Sequence, residues 1–565
     1  MKFCIGSTFT ESTDTPAGIS YLKVLLSTGI AVILLGWSLS RACSTVAPCQ
    51  MPREWDVLRD IGIAQSLEEG RYPEDPSLAG EISWYNPLTG ALLAVLRKFN
   101  EQSLMRLAVV SGPYINLLAP AAFYLLTALW FGQGAAVAGL CLYLFGKDGT
   151  SPSTWTCAYS PWLLAPAYSA GLLFLTLATF KKALEKKTSG VFIAAGLLLG
   201  LTFLGHTAPA VIAGGSMVLL TGMETCRMAR QKDNRQEARR LVFHLLLSLG
   251  IAFFISLPFT GPILWRYQFH VLNPWPSLYA SQNVELQKLP EQIWTLLSMR
   301  NLIALFGAAG LCFQWRRLEV RALACWSLVV MALMVQHYAW QALRLNGIVI
   351  PSIVPGHHAV IHLAAVRTVL FGTGIVFAGK WSYRFLAFLA LRLKLSCNKC
   401  LCMETCCAGA LVIIAGLCLY LTNPYSRRVD FLPPAGAAHY DLYERHVPMY
   451  EWIRDTMPPE ATVLCPEETL GIKTVLPSGR KLVNPMLLYF NPYVDRGPKT
   501  LRQEAILAAL DKRDKDALCE EANVYPILLL LLEEPVQKAP PFATEIHRAG
   551  GSVLFEIHSC LRRFE

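Results

Sequence analysis

Long apolar runs separated by short basic clusters fill the first three quarters of the chain. Runs at 21–40, 86–98, 104–131, 134–146, 161–180, 189–205, 208–223, 241–264, 301–315, 321–341, 360–379 and 407–422 read as membrane helices. Several are too short to cross a bilayer alone and read as broken or re-entrant, so roughly ten to thirteen membrane helices are expected. Two stretches break the pattern. Asp56–Glu69 carries Val57, Ile61, Ala64 and Leu67 or Ile63 at helical spacing and predicts an amphipathic helix just after the first span. After about Asn423 the spans end and charge rises. There 441–456 and 499–514 predict helices, and 461–465, 480–483, 527–532 and 552–557 predict strands.

Composition turns this pattern into a class. Of 565 residues, 53% are apolar and only 16% charged, against roughly 25% charged in soluble domains. With a mean hydropathy of +0.39, the expected fold is mainly α: a polytopic transmembrane helical bundle with a small C-terminal α/β domain. The net charge of +10 lies in short clusters between apolar runs, a topology signal that argues against nucleic acid as a partner. These clusters are Lys181–Lys187, Arg227–Arg240, Arg316–Arg321 and Lys380–Lys399. By the positive-inside rule they face the cytoplasm. Loops at 41–86, 148–160, 258–300 and 343–359, and everything after Leu421, then face the other side. The expected organisation is a cytoplasmic tail at 1–20, a membrane domain at 21–422 and an extracytoplasmic domain at 423–565. The first apolar run is long enough to span, and no cleavable signal peptide is evident. Cys43 and Cys49 flank a short loop and can pair if that side is oxidising. The cysteines from Cys397 to Cys407 lack a second ligand pair at zinc spacing and read as incidental thiols or lipidation sites.

The chemistry-bearing stretch is 53–88, REWDVLRDIGIAQSLEEGRYPEDPSLAGEISWYNPL. Asp56 and Asp60 are four residues apart, so a helix projects both carboxylates from one face. Carboxylates held that close repel and one pKa should rise, which suits a general base or a metal site. The same charges also fit a solvated helix face. The C-terminal region carries no Walker loop, Rossmann fingerprint, zinc motif or nucleophile elbow and reads as a lid or acceptor-recognition module.

The acidic residue just past the first span, the helix ending at Glu69-Gly70, the Tyr72-Pro73 pair, Gly80-Glu81 and the aromatic run Trp84-Tyr85-Asn86-Pro87-Leu88 resemble the GT-C superfamily of polytopic glycosyltransferases. That group includes protein O-mannosyltransferases, aminoarabinose transferases and arabinosyltransferases. The run Gly200–Pro209, GLTFLGHTAP, is similar to a stretch common in the superfamily. The family pattern is often two adjacent acids, whereas here Trp55 precedes Asp56. The resemblance implies an inverting transferase in the cell (inner) membrane. Its partners would be a polyprenyl-phosphate sugar donor, membrane lipid and a glycan, lipid or protein acceptor. It implies Asp56 as general base, with Asp60 as partner or metal ligand (Mg or Mn), and no further metal ligand. Glu81, Trp84 and Tyr85 would orient sugar or acceptor.

For the donor phosphate the candidates are Arg266 and His270 in WRYQFH, and His357, His358, His362 and Arg367 in PGHHAVIHLAAVR. Ionisable groups at membrane depth mark functional positions, although His357 and His358 also fit ordinary interface positions. His206 reads as a packing histidine between helices. The competing class is a transporter or flippase of lipid-linked saccharides. Repeated halves with matching broken spans would mark one, and no such repeat is present.

Overall fold

The computed structural model describes residues 17–145, 159–230, 234–273, 299–348, 354–392, 400–422, 444–536 and 538–558. The apolar runs form helices α1 (Ala17–Val46), α3 (Leu88–Arg97), α4 (Leu104–Asn116), α5 (Leu118–Phe131), α6 (Gln133–Phe145), α7 (Ala165–Lys186) and α8 (Ser189–Gly205). They continue as α9 (Thr207–Ala229), α10 (Arg235–Tyr267), α11 (Met299–Cys312), α12 (Leu318–Leu345), α13 (Gly356–Arg392) and α14 (Cys400–Thr422). Six segments are long and apolar enough to cross a membrane among the described residues, α4 and α5 counting as one, and five shorter apolar helices accompany them. The chain is a multi-pass membrane protein with a helical core of large buried side chains, among them Phe123, Tyr143, Phe174, Phe192 and Trp326.

One expectation about breaks changes. The predicted span 104–131 is one membrane-length segment, interrupted only at Leu117 between α4 and α5, with Pro113 inside α4. The expected outer loop from 258 instead stays helical to Tyr267, with Pro258 and Pro262 inside α10. A proline removes the bond to the carbonyl four residues back. Pro262 therefore orphans the Pro258 oxygen, and the Tyr72 hydroxyl of the first loop donates to it at 3.2 Å. Residues 274–298 of that expected loop lie outside the described residues, as do most of 148–160, the tail before Ala17, Cys397 and the side chains of Cys400–Cys407. Cys43 and Cys49 form no disulfide with each other.

Between α1 and α3 lies α2 (Trp55–Glu68). Its glycine punctuation explains the sequence motif: Gly70 and Gly80 have φ of 70° and 76°, the left-handed region that glycine enters without a Cβ penalty. The C-terminal region adds α15 (Val447–Thr456), β1 (Thr462–Leu464), α16 (Glu468–Ser478), β2 (Lys481–Leu482), α17 (Gly497–Lys512) and α18 (Lys515–Ala522). It closes with β3 (Leu528–Glu533), β4 (Ala543–Ala549) and β5 (Ser552–Ile557). The sheet order is β2-β1-β3-β5-β4. β1 is parallel to β2 and β3, and β5 is antiparallel to β3 and β4.

This domain is docked on the first loop. One apolar cluster joins Val57, Leu58 and Ile61 of α2 to Trp162 and Tyr168 beside the bundle and to Tyr450, Ile472, Leu476 and Tyr489 of the C-terminal domain. Polar contacts extend the seam. Arg480 Nη1 pairs with Glu69 at 2.8 Å, Leu482 N donates to Ser77 O at 2.7 Å, and Lys481 Nζ donates to Asp75 O at 2.5 Å. α2 and α16 approach so closely that a Cβ on Gly62 would run into the Leu476 carbonyl oxygen. Gly62→Ala should therefore lower stability by about 1–3 kcal/mol, the usual cost of overpacking, read as an earlier thermal transition. Gly29→Ala, where nothing lies within 4 Å, is the control. A Gly62→Ala protein melting with the wild type would contradict the close approach.

Candidate functional site

α2 is buried nearly all round: Val57, Leu58, Arg59, Asp60, Ile61, Gly62, Ile63 and Ala64 are all inside. The solvated-face reading of its charges therefore does not hold for Arg59 and Asp60. A buried charge must be paired, and Arg59 supplies the pairing. Its Nε and Nη2 donate to the same oxygen, Asp60 Oδ1, at 2.9 and 2.7 Å. Its Nη1 donates to Asp56 Oδ1 at 3.2 Å. Its guanidinium lies 3.6 Å from the Tyr85 ring centroid, a cation–π distance. Asp56 accepts a second bond, from the Tyr489 hydroxyl at 3.1 Å. Tyr85 lies 3.8 Å from Trp84, ring to ring and tilted by 36°, and donates to Leu488 O at 3.3 Å.

The electrostatics follow from burial. Desolvation pushes the Asp60 carboxyl up to about 6, with Arg59 pulling the other way. The rise expected from two neighbouring acids is thus present on Asp60, but burial is its main cause and Asp56 contributes less. Burial, and next the Asp56 charge, hold the Tyr489 phenol well above its ordinary value, so it remains a donor. Asp60 is sealed, its side chain 2% exposed, whereas Asp56 keeps 16%. Among the described residues no three His, Cys, Asp or Glu gather to hold an ion. Arg59 already bridges the two carboxylates where a shared metal would have to sit.

The other predicted residues fall into three places. At one seam, Glu81 accepts from the Tyr267 hydroxyl at 2.7 Å while that oxygen accepts from Ile82 N at 2.9 Å. Arg266 reaches Gly80 O at 3.4 Å and is exposed, as is His270. At a second place the histidines converge. His358 lies 4.6 Å from His206 and 4.0 Å from His357, ring to ring, and His206 is within electrostatic reach of Arg59, His357 and His362. Asn86 fastens the first loop there, donating to Phe203 O at 2.5 Å and accepting from the Thr207 hydroxyl at 3.2 Å. Arg367 stands apart, reaching Asn301 of α11 at 3.4 Å.

Sequence reasoning missed two members. Arg59 lies in the 53–88 stretch, but nothing in its local pattern signals that it is buried between the two acids. Tyr489 lies in a loop, NPMLLYFNPY (484–493), whose aromatics between two prolines were the available signal.

No protein-family model matches the chain, and no curated protein matches it in sequence. Solved structures do match in shape. The oligosaccharyltransferase AglB from Archaeoglobus fulgidus, solved in complex with an inhibitory peptide and a dolichol-phosphate, aligns over 90% of this chain and 70% of its own. The TM-score is 0.53 at 12% identity. The chain has the GT-C fold. A second structure of that oligosaccharyltransferase, tethered with an acceptor peptide containing the NVT sequon, gives a TM-score of 0.51 at 13% identity, over 91% and 70% of the two chains. ArnT from Cupriavidus metallidurans aligns over 94% and 98% with a TM-score of 0.49 at 12% identity. On this GT-C fold, α2 is the helix that the first loop presents to both bundle and C-terminal domain.

A pH signature follows. Asp60 is raised above its unfolded value, so the stability it costs is absent in acid and grows as pH rises through about 4 to 6. Removing its cation with Arg59→Met strands a buried carboxylate. The loss should reach about 3–5 kcal/mol at pH 8 and shrink at pH 5, where Asp60 can keep its proton. Thermal unfolding at both pH values measures it, and an equal loss at the two would show that Asp60 is not the stranded charge.

Proposed function

We propose that the protein is an inverting glycosyltransferase that moves a sugar from a polyprenyl-phosphate carrier to an acceptor hydroxyl or amide. The observation that carries this reading is the Asp56 carboxylate. It is partly accessible and held between Arg59 and Tyr489 where the first loop, the bundle and the C-terminal domain meet. The GT-C fold and its match to an oligosaccharyltransferase solved with a dolichol-phosphate support the donor class.

Asp56 acts as general base, taking the acceptor proton as the acceptor atom attacks the anomeric carbon. The bond from that carbon to the phosphate oxygen breaks, the electron pair leaves with the phosphate, and the anomer inverts because no covalent intermediate intervenes. Asp60 takes no proton in this scheme; it fixes Arg59, which fixes Asp56. The departing phosphate is steadied by donors on its path. His206, within electrostatic reach of Arg59, with His358 and His357 packed beside it, suits that role better than Arg266 and His270 at the outer seam. The carrier needs lipid and the sugar needs water, which suits a site at one end of the membrane helices.

The basic clusters favour a cytoplasmic location for the opposite end and an extracytoplasmic location for the C-terminal domain in the cell (inner) membrane. A disulfide at Cys519 of α18 supports the same orientation. The acceptor class, glycan, lipid or protein, is set by the C-terminal domain and the seam at Glu81.

Asp56→Asn should lower transfer by about 10²–10⁴-fold, the range for loss of a general base, while donor lipid still co-purifies. Tyr489→Phe, which removes one hydrogen bond, should cost roughly fivefold. Transfer from a polyprenyl-phosphate sugar by reconstituted full-length protein measures both. Full activity in Asp56→Asn would remove the proposed base.

A further inference from the structure

The end of the bundle away from α2 has a cavity of its own. About 220 Å³ in volume, it lies where α7 and α9 end and α8, α10 and α12 begin. Its charged lining includes Lys187, Glu224, Arg227, Glu237, Arg240 and Arg321. Glu224 lies 18 residues along α9 from His206, about 27 Å at the α-helical rise. That is close to the roughly 30 Å of a bilayer's hydrocarbon core. The two sites therefore stand at opposite membrane faces.

The charges in this cavity do not cancel. Glu224 is held by Arg321 at 2.5 Å and by Arg227 at 2.7 Å, and Glu237 by Lys187. Both carboxylates are thus already neutralised. Arg321 spends further donors on the Trp315 and Arg316 carbonyls. Arg240 has no carboxylate partner among the described residues, and Arg227 remains 61% exposed. Four cations face two acids. Beneath them the floor is apolar: Phe192 stacks on His244 at 4.6 Å, and Leu241 is buried. On the outer side of α10, Phe243 flanks His244 at 6.1 Å. Phe243 and Leu246 are 64% and 60% exposed, on a helix apolar enough to cross a membrane. Surplus positive charge over an apolar floor, opening beside a lipid-facing helix, is the complement of an anionic amphiphile.

We propose that this cavity binds the headgroup phosphate of an anionic phospholipid, through Arg227 and Arg240, with the acyl chains lying along the Phe243–Leu246 face of α10. This site is separate from the sugar-transfer site and does not depend on that reading.

Native mass spectrometry of the full-length protein in neutral detergent tests it, with phosphatidylglycerol and phosphatidylcholine of matched chains as probes. Basic side chains near a membrane surface each favour anionic lipid by about 1 kcal/mol, so two surplus charges should favour phosphatidylglycerol by roughly tenfold or more. Arg240→Gln should reduce that preference, and Arg227→Gln with Arg240→Gln should abolish it. Arg239→Gln, exposed on the same helix but outside the cavity, should keep it. Unchanged melting in phosphatidylcholine nanodiscs verifies folding of each variant. Equal retention of the two lipids by the wild type would overturn the proposal. So would a double variant that still prefers phosphatidylglycerol, or displacement of the lipid by inorganic phosphate, which would mark a site for a free anion.

Discussion

A guanidinium taken out of water must be matched by carboxylates and hydrogen-bond acceptors, or it unfolds what surrounds it. Arg59 is in that position, and the junction of the first loop, the bundle and the C-terminal domain is built to satisfy it. Two donors go to Asp60, one to Asp56, and the cationic face rests on Tyr85. The pairing requires α2 to be enclosed, and three parts of the chain enclose it. Tyr168 beside Thr89 closes the bundle side, where the two hydroxyls are 2.9 Å apart. Leu476 and Tyr489 close the C-terminal side. The same interaction divides the acids into two kinds. Asp60 is sealed and holds the cation, while Asp56 remains reachable and is held by it.

That arrangement gives the C-terminal domain a share in the site. Tyr489 bonds directly to Asp56, and Asn491 donates to Ile82 O at 3.0 Å. Tyr493 stacks on Tyr267 at 5.1 Å. The loop that follows β2 thus reaches both the acid cluster and the end of α10. Displacing the domain would change the surroundings of Asp56 without moving any membrane helix.

Much of the fold was legible because its signals are local. Apolar runs marked the membrane helices, with α8 read at both ends, and short buried runs marked β1, β2, β3 and β5. What was missed depends on distant partners. α16 contains Gly471 and Pro477, and docking on α2 outweighs their poor propensity. β4, ATEIHRA, is a polar edge strand with one face in water, so its pattern carries little signal. The prolines of α10 looked like a loop because the hydroxyl that caps the Pro258 carbonyl comes from Tyr72, 186 residues away. At the site, the spacing of Asp56 and Asp60 was readable. The cation between them was not, because only burial turns a neighbouring arginine into an obligatory partner. Tyr489 lies 433 residues from the acid it bonds.

The central claim is that a lipid-borne sugar meets Asp56 at the junction of loop, bundle and C-terminal domain. Its most direct measurement is mass spectrometry of the lipid that the full-length protein carries through purification from its own membrane. A polyprenyl-phosphate sugar, converted to bare polyprenyl phosphate when acceptor is supplied, is the predicted result. A preparation that retains bulk phospholipid and no polyprenyl species, with or without acceptor, would contradict it.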